Sequence, residues 1–193
     1  MRVIAGDTFE KQYFRRKIDG YQSPYNDPFT YRTVEEIGED KVCVMMLPFV
    51  DDVTNPDREA QARIEWQGLV DAEIASPRLE NWLVAYKNDV PIGVVFPTRY
   101  EDVPDQGSLS TIGVFPEWQG KGFGKILHAK GLEALAAMGV TKYVGSTEVT
   151  NAPMIAVAIA NGCTLTKIYK IEVDELGRHK PVGVVREQAP SPY

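Results

Sequence analysis

Val114-Phe115-Pro116-Glu117-Trp118-Gln119-Gly120-Lys121-Gly122-Phe123-Gly124-Lys125 is the most informative stretch of the chain. An apolar strand, Ser108–Phe115, leads into it and is stopped by Pro116. From Gln119 the pattern becomes helical. Phe123, Ile126, Leu127, Leu132, Leu135 and Met138 supply an apolar face, and Gly139 closes the helix. N–H groups at a helix start lack intrahelical acceptors and carry the positive end of the helix dipole, so they form a natural anion site. Glycine lets a phosphate approach that backbone with no Cβ in the way. Lys121, Lys125, His128 and Lys130 make the region locally basic, with His128 expected at the surface. Gly131 sits mid-helix, where it costs about 1 kcal/mol relative to Ala, which predicts close packing against a neighbour.

Two phosphate motifs fail here. A Walker A loop ending at Gly124-Lys125 needs Gly at position 119 and Ser or Thr at 126, where the chain has Gln119 and Ile126. A dinucleotide fingerprint on Gly120 and Gly122 needs Gly at 125, where Lys125 stands, and no Rossmann-type opening precedes it.

The rest of the chain bounds the answer. Its 193 residues fit one domain, with 44% hydrophobic and 25% charged residues. The net charge of −6 argues against a nucleic-acid binder. Cys43 and Cys163 cannot make a disulfide framework and fit a reducing cytoplasm. The longest apolar stretches, Val42–Val50 and Met154–Ala160, fall short of the ~20 residues of a membrane helix. Residues 1–12 lack the apolar core of a signal peptide. His128 and His179 lie far apart in sequence, and no Cys/His cluster has ligand spacing, so no metal site is expected.

Residues 1–40 read as an irregular N-terminal extension. Asp7 and Glu10 have capping-box spacing for a short helix ending near Gly20, and Thr33 and Glu36 repeat that spacing before a second helix. Tyr21–Tyr31 is aromatic and broken by Pro24 and Pro28, so it reads as a loop, either a lid over the core edge or a substrate-facing segment. Lys41–Phe49 is a continuous apolar run that predicts a buried strand. Asn55-Pro56 opens a helix carrying Ala62, Trp66, Leu69, Val70 and Ile74, ended by Ser76-Pro77. Trp82–Tyr86 and Ile92–Phe96 form a hairpin around Lys87–Val90. Lys142–Thr147 is a strand, and Asn151–Ala160 a helix ended by Asn161-Gly162. Leu165–Val173 and Val182–Arg186 form a last hairpin around Leu176-Gly177, before a frayed Ala189–Tyr193 tail. Hairpins need antiparallel pairing and strand–helix–strand crossovers give parallel pairing. The expected fold is α/β, a mixed and mostly antiparallel sheet of six to seven strands with helices on both faces.

A third phosphate motif, Gln/Arg-x-x-Gly-x-Gly/Ala, is satisfied by Gln119, Gly122 and Gly124. With Val114-x-Pro116 before it and a full-length helix after it, the chain resembles the GNAT superfamily of acyl-CoA-dependent N-acetyltransferases. Thr147-Glu148-Val149-Thr150-Asn151-Ala152-Pro153-Met154 is similar to the family's strand end and Asn-led helix start. Gly162-Cys163 stands where Gly-Phe usually follows that helix. The likeness covers residues 81–175 well and residues 1–80 hardly at all.

The resemblance implies a splayed pair of parallel strands, Ser108–Phe115 and Lys142–Thr147, that takes the pantetheine arm of acetyl-CoA as a pseudo-strand. Backbone groups of Ile112 and Val114 would bond the pantetheine amides. N–H groups of Gln119, Gly120, Lys121, Gly122, Phe123, Gly124 and Lys125 would hold the pyrophosphate. Asn151 would bond the arm from the opposite side, or serve only as a helix cap. The implied reaction is transfer of an acetyl group to the primary amine of a small molecule or peptide.

Such an amine has a pKa of ~10.4, so deprotonating it at pH 7 costs about 4.6 kcal/mol and calls for a base or a water chain. Relatives often carry Glu on the strand before the glycine loop, but Leu109–Phe115 holds no acid. They often carry Tyr four residues before the Gly-Phe, where this chain has Ala158. Glu148 is the candidate base, against a solvated strand-end acid. Tyr169 is a replacement acid or, on the other reading, core packing, and Cys163 reads as core. Asp51, Asp52, Asp102 and Asp105 either attract a cationic acceptor or form a solvated surface. A non-catalytic acyl-CoA-binding module stays open as the alternative, as does an unrelated nucleotide-phosphate binder. The assembly is open between monomer and homodimer.

Overall fold

The computed structural model describes residues 6–49, 57–71, 79–173 and 179–187. The Asn55-Pro56 helix start, Ile74, the Ser76-Pro77 stop, the Leu176-Gly177 turn, the Ala189–Tyr193 tail, Asp51 and Asp52 lie outside these residues. The chain forms two compact units, Ile18–Tyr143 and Met1–Lys17 together with Val144–Tyr193.

The Ile18–Tyr143 unit contains β2 (Thr30–Thr33), α1 (Val34–Ile37), α2 (Glu39–Met45), α3 (Arg58–Val70), β3 (Leu83–Lys87), β4 (Val90–Arg99), β5 (Gln106–Val114) and α4 (Phe123–Ala137). It ends on the first residues of β6 (Lys142–Glu148). Strands β2 to β5 pair antiparallel in chain order. The start of β6 then joins β5 in parallel, with Gln106 opposite Lys142 and Gly107 opposite Tyr143. The β3–β4 turn places Asn88 and Asp89 at φ 51° and 61°. Both residues tolerate that left-handed region, and such a turn matches the twist of a hairpin.

One face of this unit is packed by the N-terminal helices. Trp82 stacks on Phe96 with centroids 4.6 Å apart, and Trp66 of α3 meets both rings edge-on at 5.8 and 6.0 Å. Val34, Val42, Cys43, Ala62, Val84, Val94 and Phe115 complete that core. The opposite face takes α4. A Cβ on Gly131 would lie 2.6 Å from Val95 Cγ2 and 2.7 Å from Leu109 Cδ2, so the close packing predicted for this glycine is present. Helices therefore cover both faces of this unit.

A bulge sets which side chains of β5 meet α4. Pairing shifts between Phe96 and Pro97, opposite Thr111 and Leu109, which leaves Ser110 as the extra residue. The proline there has no N–H to offer a ladder. Ser110 Oγ donates to Phe96 O at 3.1 Å and accepts from Thr98 Oγ1 at 3.1 Å. One extra residue inverts the alternation of side chains, so Leu109 can share the α4 face with Ile112 and Val114.

The second unit contains β1 (Thr8–Lys17), the rest of β6, α5 (Ala152–Ala160), β7 (Thr164–Val173) and β8 (His179–Glu187). Its strand order is β6-β1-β7-β8, with β1–β7 and β7–β8 antiparallel. Arg16 donates to the carbonyl of Asn161 at the C-terminal end of α5, where a cation is favoured. Cys163 is buried, and burial pushes its thiol up to about 12. Tyr169 is half-buried and packs edge-on to Tyr13 at 5.0 Å.

Among the described residues eight strands form rather than six to seven. The further strands come from residues 1–40, expected to be irregular. Thr8–Lys17 is a strand and not a capped helix. Its inward positions include Gln12, 3% exposed, whose amide donates to Tyr13 O and Lys167 O. A polar residue in the inward row hides the period of two. The Thr33/Glu36 capping box is formed, with Glu36 N donating to Thr33 Oγ1 at 3.1 Å and Thr33 N to Glu36 Oε2 at 2.8 Å. The apolar run Lys41–Phe49 is helical, α2 followed by a 3-10 turn over Leu47–Phe49, and not a strand. Val42 and Cys43 are buried while Val44 is 44% exposed, so the run has a wet side that a buried strand would lack. Among the described residues no helix is long and apolar enough to cross a membrane, and no group of His, Cys, Asp and Glu is placed to hold a metal.

Candidate active site

The glycine stretch forms a loop between β5 and α4, inside the Ile18–Tyr143 unit. Phe115 N donates to Ile92 O at 2.9 Å. Gly93 pairs with Val114 and Val95 with Ile112. In an antiparallel ladder, residues whose main chain bonds the partner alternate with residues whose main chain turns away. Phe115, Gly113 and Thr111 thus bond β4, and the N–H and C=O of Ile112 and Val114 face the other edge. Val114 O accepts a bond of 2.9 Å from Gln119 Nε2. Gln119 therefore ties the loop back to the end of the strand.

Pro116–Trp118 makes a single 3-10 turn, and the chain then reaches Gly120 and Gly122 at φ 73° and 76°. Other residues pay roughly 1–2 kcal/mol for that left-handed region. A Cβ on Gly120 would meet nothing within 4 Å, and one on Gly122 only Lys125 Cε at 3.8 Å. Backbone here is open to an approaching group. Gly122 is the N-cap of α4 and supplies no side-chain acceptor. The N–H groups that open the first turn, those of Phe123 and Gly124, receive no side-chain cap and suit an anionic partner. These residues fit a pyrophosphate.

The basic character of the loop is narrower than its sequence predicts. Lys121 Nζ donates to Glu117 O at 3.0 Å and lies 4.6 Å from the Trp118 ring centroid. Lys125 lies over Tyr25 at 5.2 Å. Lys130 lies over Tyr31 at 5.2 Å and pairs with Glu133 at 3.6 Å. His128 is not a surface residue. It is fully buried, with Nε2 3.2 Å from the Tyr143 hydroxyl. It stands one helical turn beyond Gly124, on the same inward side of α4 as Leu127, Gly131, Leu132 and Leu135.

The aromatic loop of residues 21–31 lies along α4. Phe29 meets Phe123 edge-on at 5.0 Å, and Ser23 N donates to Glu133 Oε1 at 2.7 Å. Tyr31 donates to Asp27 Oδ2 at 2.8 Å, and burial together with that carboxylate pushes its phenol well above the usual value. Asp105 is a structural acid, ion-paired with Lys142 at 2.6 Å. Asp102 is exposed.

Glu148 and Asn151 belong to the other unit. Glu148 ends β6 with an exposed side chain, and Thr150 Oγ1 donates to its Oε2 at 3.4 Å. The alternation expected along the strand holds, with Ser146 and Glu148 exposed and Thr147 buried. Lys11 on β1 feels this carboxylate. Burial lowers the lysine's proton affinity and Glu148 restores part of it. Asn151 caps α5, its Oδ1 accepting from Met154 N at 3.2 Å. That bond uses the amide oxygen and leaves the amide protons for a second role.

Sequence reasoning missed Phe49. It follows α2 and lies on β5, where a Cβ on Gly113 would fall 2.5 Å from its Cε1. It also stacks on Phe115 at 5.3 Å. No spacing in the sequence signals this contact across more than sixty residues.

With this geometry in view, the comparisons with known proteins are specific. The sequence matches the Acetyltransferase (GNAT) family over residues 47–162. The chain belongs to the GNAT family of acetyltransferases. A GCN5-related N-acetyltransferase from Sphaerobacter thermophilus superposes with a TM-score of 0.62 at 18% identity, covering 88% of this chain and 51% of the other. A GNAT-family acetyltransferase from Colwellia psychrerythraea gives 0.59 at 10% identity, covering 84% and 55%. A tandem GNAT protein from the clavulanic acid biosynthesis pathway gives 0.55 at 17% identity, covering 83% and 51%. At such identities the likeness is one of fold. The chain spans about half the length of these proteins. No curated protein matches it.

Proposed function

We propose that the protein is an N-acetyltransferase that moves the acetyl group of acetyl-CoA to a primary amine, acting in the cytoplasm. One observation supports this most. The β5–α4 loop presents an uncapped helix start and two unobstructed glycines beside a strand edge whose Ile112 and Val114 main chain turns away from β4. A pyrophosphate matches the first feature and an amide-bearing arm the second. On this reading the N–H groups from Gly120 to Gly124 hold the pyrophosphate, the Gln119 N–H expected to join them being taken instead by Pro116 O at 3.2 Å, Ile112 and Val114 bond the pantetheine amides, and Asn151 adds its amide protons.

In the reaction the neutral amine attacks the thioester carbon. The C–N bond forms, the C–S bond breaks, the amine loses a proton, and the departing sulfur takes one. A main-chain N–H near Val114 would stabilise charge developing on the carbonyl oxygen. Glu148 is the proposed base, directly or through water. The rival reading, a non-catalytic acyl-CoA-binding module, is favoured by the absence of any acid from Leu109–Phe115 and by the fully buried Ala158 at the usual tyrosine position.

Thermal melting with acetyl-CoA and with ATP, followed by an amine screen read as free CoA, tests both readings. A ligand at 100-fold its Kd adds about 2.7 kcal/mol, or roughly 5–11 °C in a chain of this size. Equal shifts with ATP overturn the site assignment. A selective acetyl-CoA shift with no turnover on any amine supports the binding module.

A further inference from the structure

We infer that Phe49 sets acceptor selectivity, favouring a primary amine borne on an apolar or aromatic body over one borne on a charged chain. The inference rests on the acetyltransferase reading above, which places the acyl group beside Ile112 and Val114 on β5. The argument begins with the two faces of that strand. On one face the side chains of Ile112 and Val114 pack with Phe123, Ile126 and Leu127 of α4. An incoming amine has no room there. On the other face, position 113 is glycine, so nothing from β5 itself covers the backbone. Phe49 takes that space. A Cβ at position 113 would lie 2.5 and 2.6 Å from its Cε1 and Cζ, which only glycine avoids.

The ring is held but not enclosed. It stacks on Phe115, with centroids 5.3 Å apart and planes at 28°, and it is half-buried. Met45, Met46 and Leu47, also half-buried, pack against the same core. An acceptor reaching β5 from this face meets an apolar edge ending in an aromatic ring. Against these side chains a polar or charged acceptor body would lose hydration without gaining a hydrogen bond from them. An alkyl or aryl body would bury apolar area, and a ring face tolerates the nearby ammonium before it gives up its proton.

The test compares 2-phenylethylamine with cadaverine, both as acceptors from acetyl-CoA. Wild type is expected to show the larger kcat/KM for 2-phenylethylamine. In Phe49→Ala that preference should fall roughly tenfold or more, mainly through KM, because an apolar contact is worth about that much discrimination. Acetyl-CoA affinity by calorimetry should stay within twofold. Phe49→Leu keeps much of the apolar bulk and should retain most of the preference, which guards against a misfolded alanine variant. An unchanged ratio in folded Phe49→Ala, a preference lost outright in folded Phe49→Leu, or a wild type that prefers cadaverine or uses neither amine while binding acetyl-CoA, overturns the inference. Absence of acetyl-CoA binding in wild type instead brings down the reading beneath it.

Discussion

Gly131→Ala on α4 sets two effects of known sign against each other. A mid-helix Gly→Ala change relieves a backbone cost of about 0.8–1.0 kcal/mol. The new methyl would lie 2.6 Å from Val95 Cγ2 and 2.7 and 2.9 Å from the two Leu109 methyls. Val95 is fully buried and stiff at Cβ, and Leu109 is 9% exposed, so neither side chain can swing into solvent. Overpacking of this kind costs about 1–3 kcal/mol. The net expectation is a loss of about 1 kcal/mol, or roughly 2–4 °C in melting temperature. Gly68→Ala is the matched control. Gly68 lies in α3 and a Cβ there would meet nothing within 4 Å. Only the backbone term acts, so that variant should gain about 0.5–1 kcal/mol. Thermal and urea denaturation of both variants decides the matter. Equal stabilisation of the two would mean that α4 does not press on β4 and β5 as described, and the placement of the loop that α4 carries would fall with it.

The other predictions bear on the site. Gly122→Val should leave the protein folded but cut acetyl-CoA affinity at least tenfold by calorimetry, because the side chain stands on the open backbone and the left-handed φ adds roughly 1–2 kcal/mol of strain. Asn151→Ala should lower stability by about 1 kcal/mol through the lost cap and weaken acetyl-CoA by about as much again, whereas lower stability with full affinity leaves only the capping role. Glu148→Gln should slow turnover roughly 10²–10⁴-fold near neutral pH, with the deficit shrinking at high pH where the ammonium loses its proton unaided; a normal rate and pH profile would assign the proton to water. Lys11→Met should be more stable than wild type at pH 7, with the gap narrowing toward pH 10.5. Burial lowers the lysine's pKa in the folded state, so the unfolded chain binds more protons up to 10.5 and wild-type stability rises with pH across that window. Urea titrations at pH 7 and 10 that give a constant gap would refute this sign.

What the sequence reveals depends on whether a signal is local. The strand, turn and helix around the β5–α4 loop are read correctly because their signals are consecutive: a strand, a proline stop, glycines and a helix face within 32 residues of chain. The Thr33/Glu36 cap and the Asn88-Asp89 turn are local too, and both form. Thr8–Lys17 is misread because its pairing partner is Thr164–Val173, far along the chain, and its inward Gln12 breaks the apolar alternation. Lys41–Phe49 is misread because a short apolar run suits a buried strand and a helix equally, and only the wetness of Val44 separates them. His128 is misread because charge predicts the surface, while its partner Tyr143 lies fifteen residues on and comes near only when α4 docks.

The site is built mainly from main chain, and that explains why side-chain motifs say so little about its chemistry. Around the β5–α4 loop the main-chain groups that would serve a ligand are N–H donors from Gly120 to Gly124, the outward amide and carbonyl of Ile112 and the outward amide of Val114. Their placement depends on glycines and on the Ser110 bulge, not on acids or bases. Loss of the extra residue, with the Leu109 side of β5 held in place, would swap the faces of Ile112 and Gly113. It would turn the bare position toward α4 and a side chain toward Phe49. The distance from Gly113 to Phe49 and the space over Gly120 and Gly122 are therefore coupled to one extra residue in β5. Mutational sensitivity should concentrate at Gly113, Gly122 and Ser110, with side-chain changes at Lys121 mild, since it holds an exposed bond to the Glu117 main-chain carbonyl and a contact over the Trp118 ring. The catalytic proton is the one task a main chain cannot perform, which is why the proposed base, Glu148, is a side chain, exposed at the end of β6.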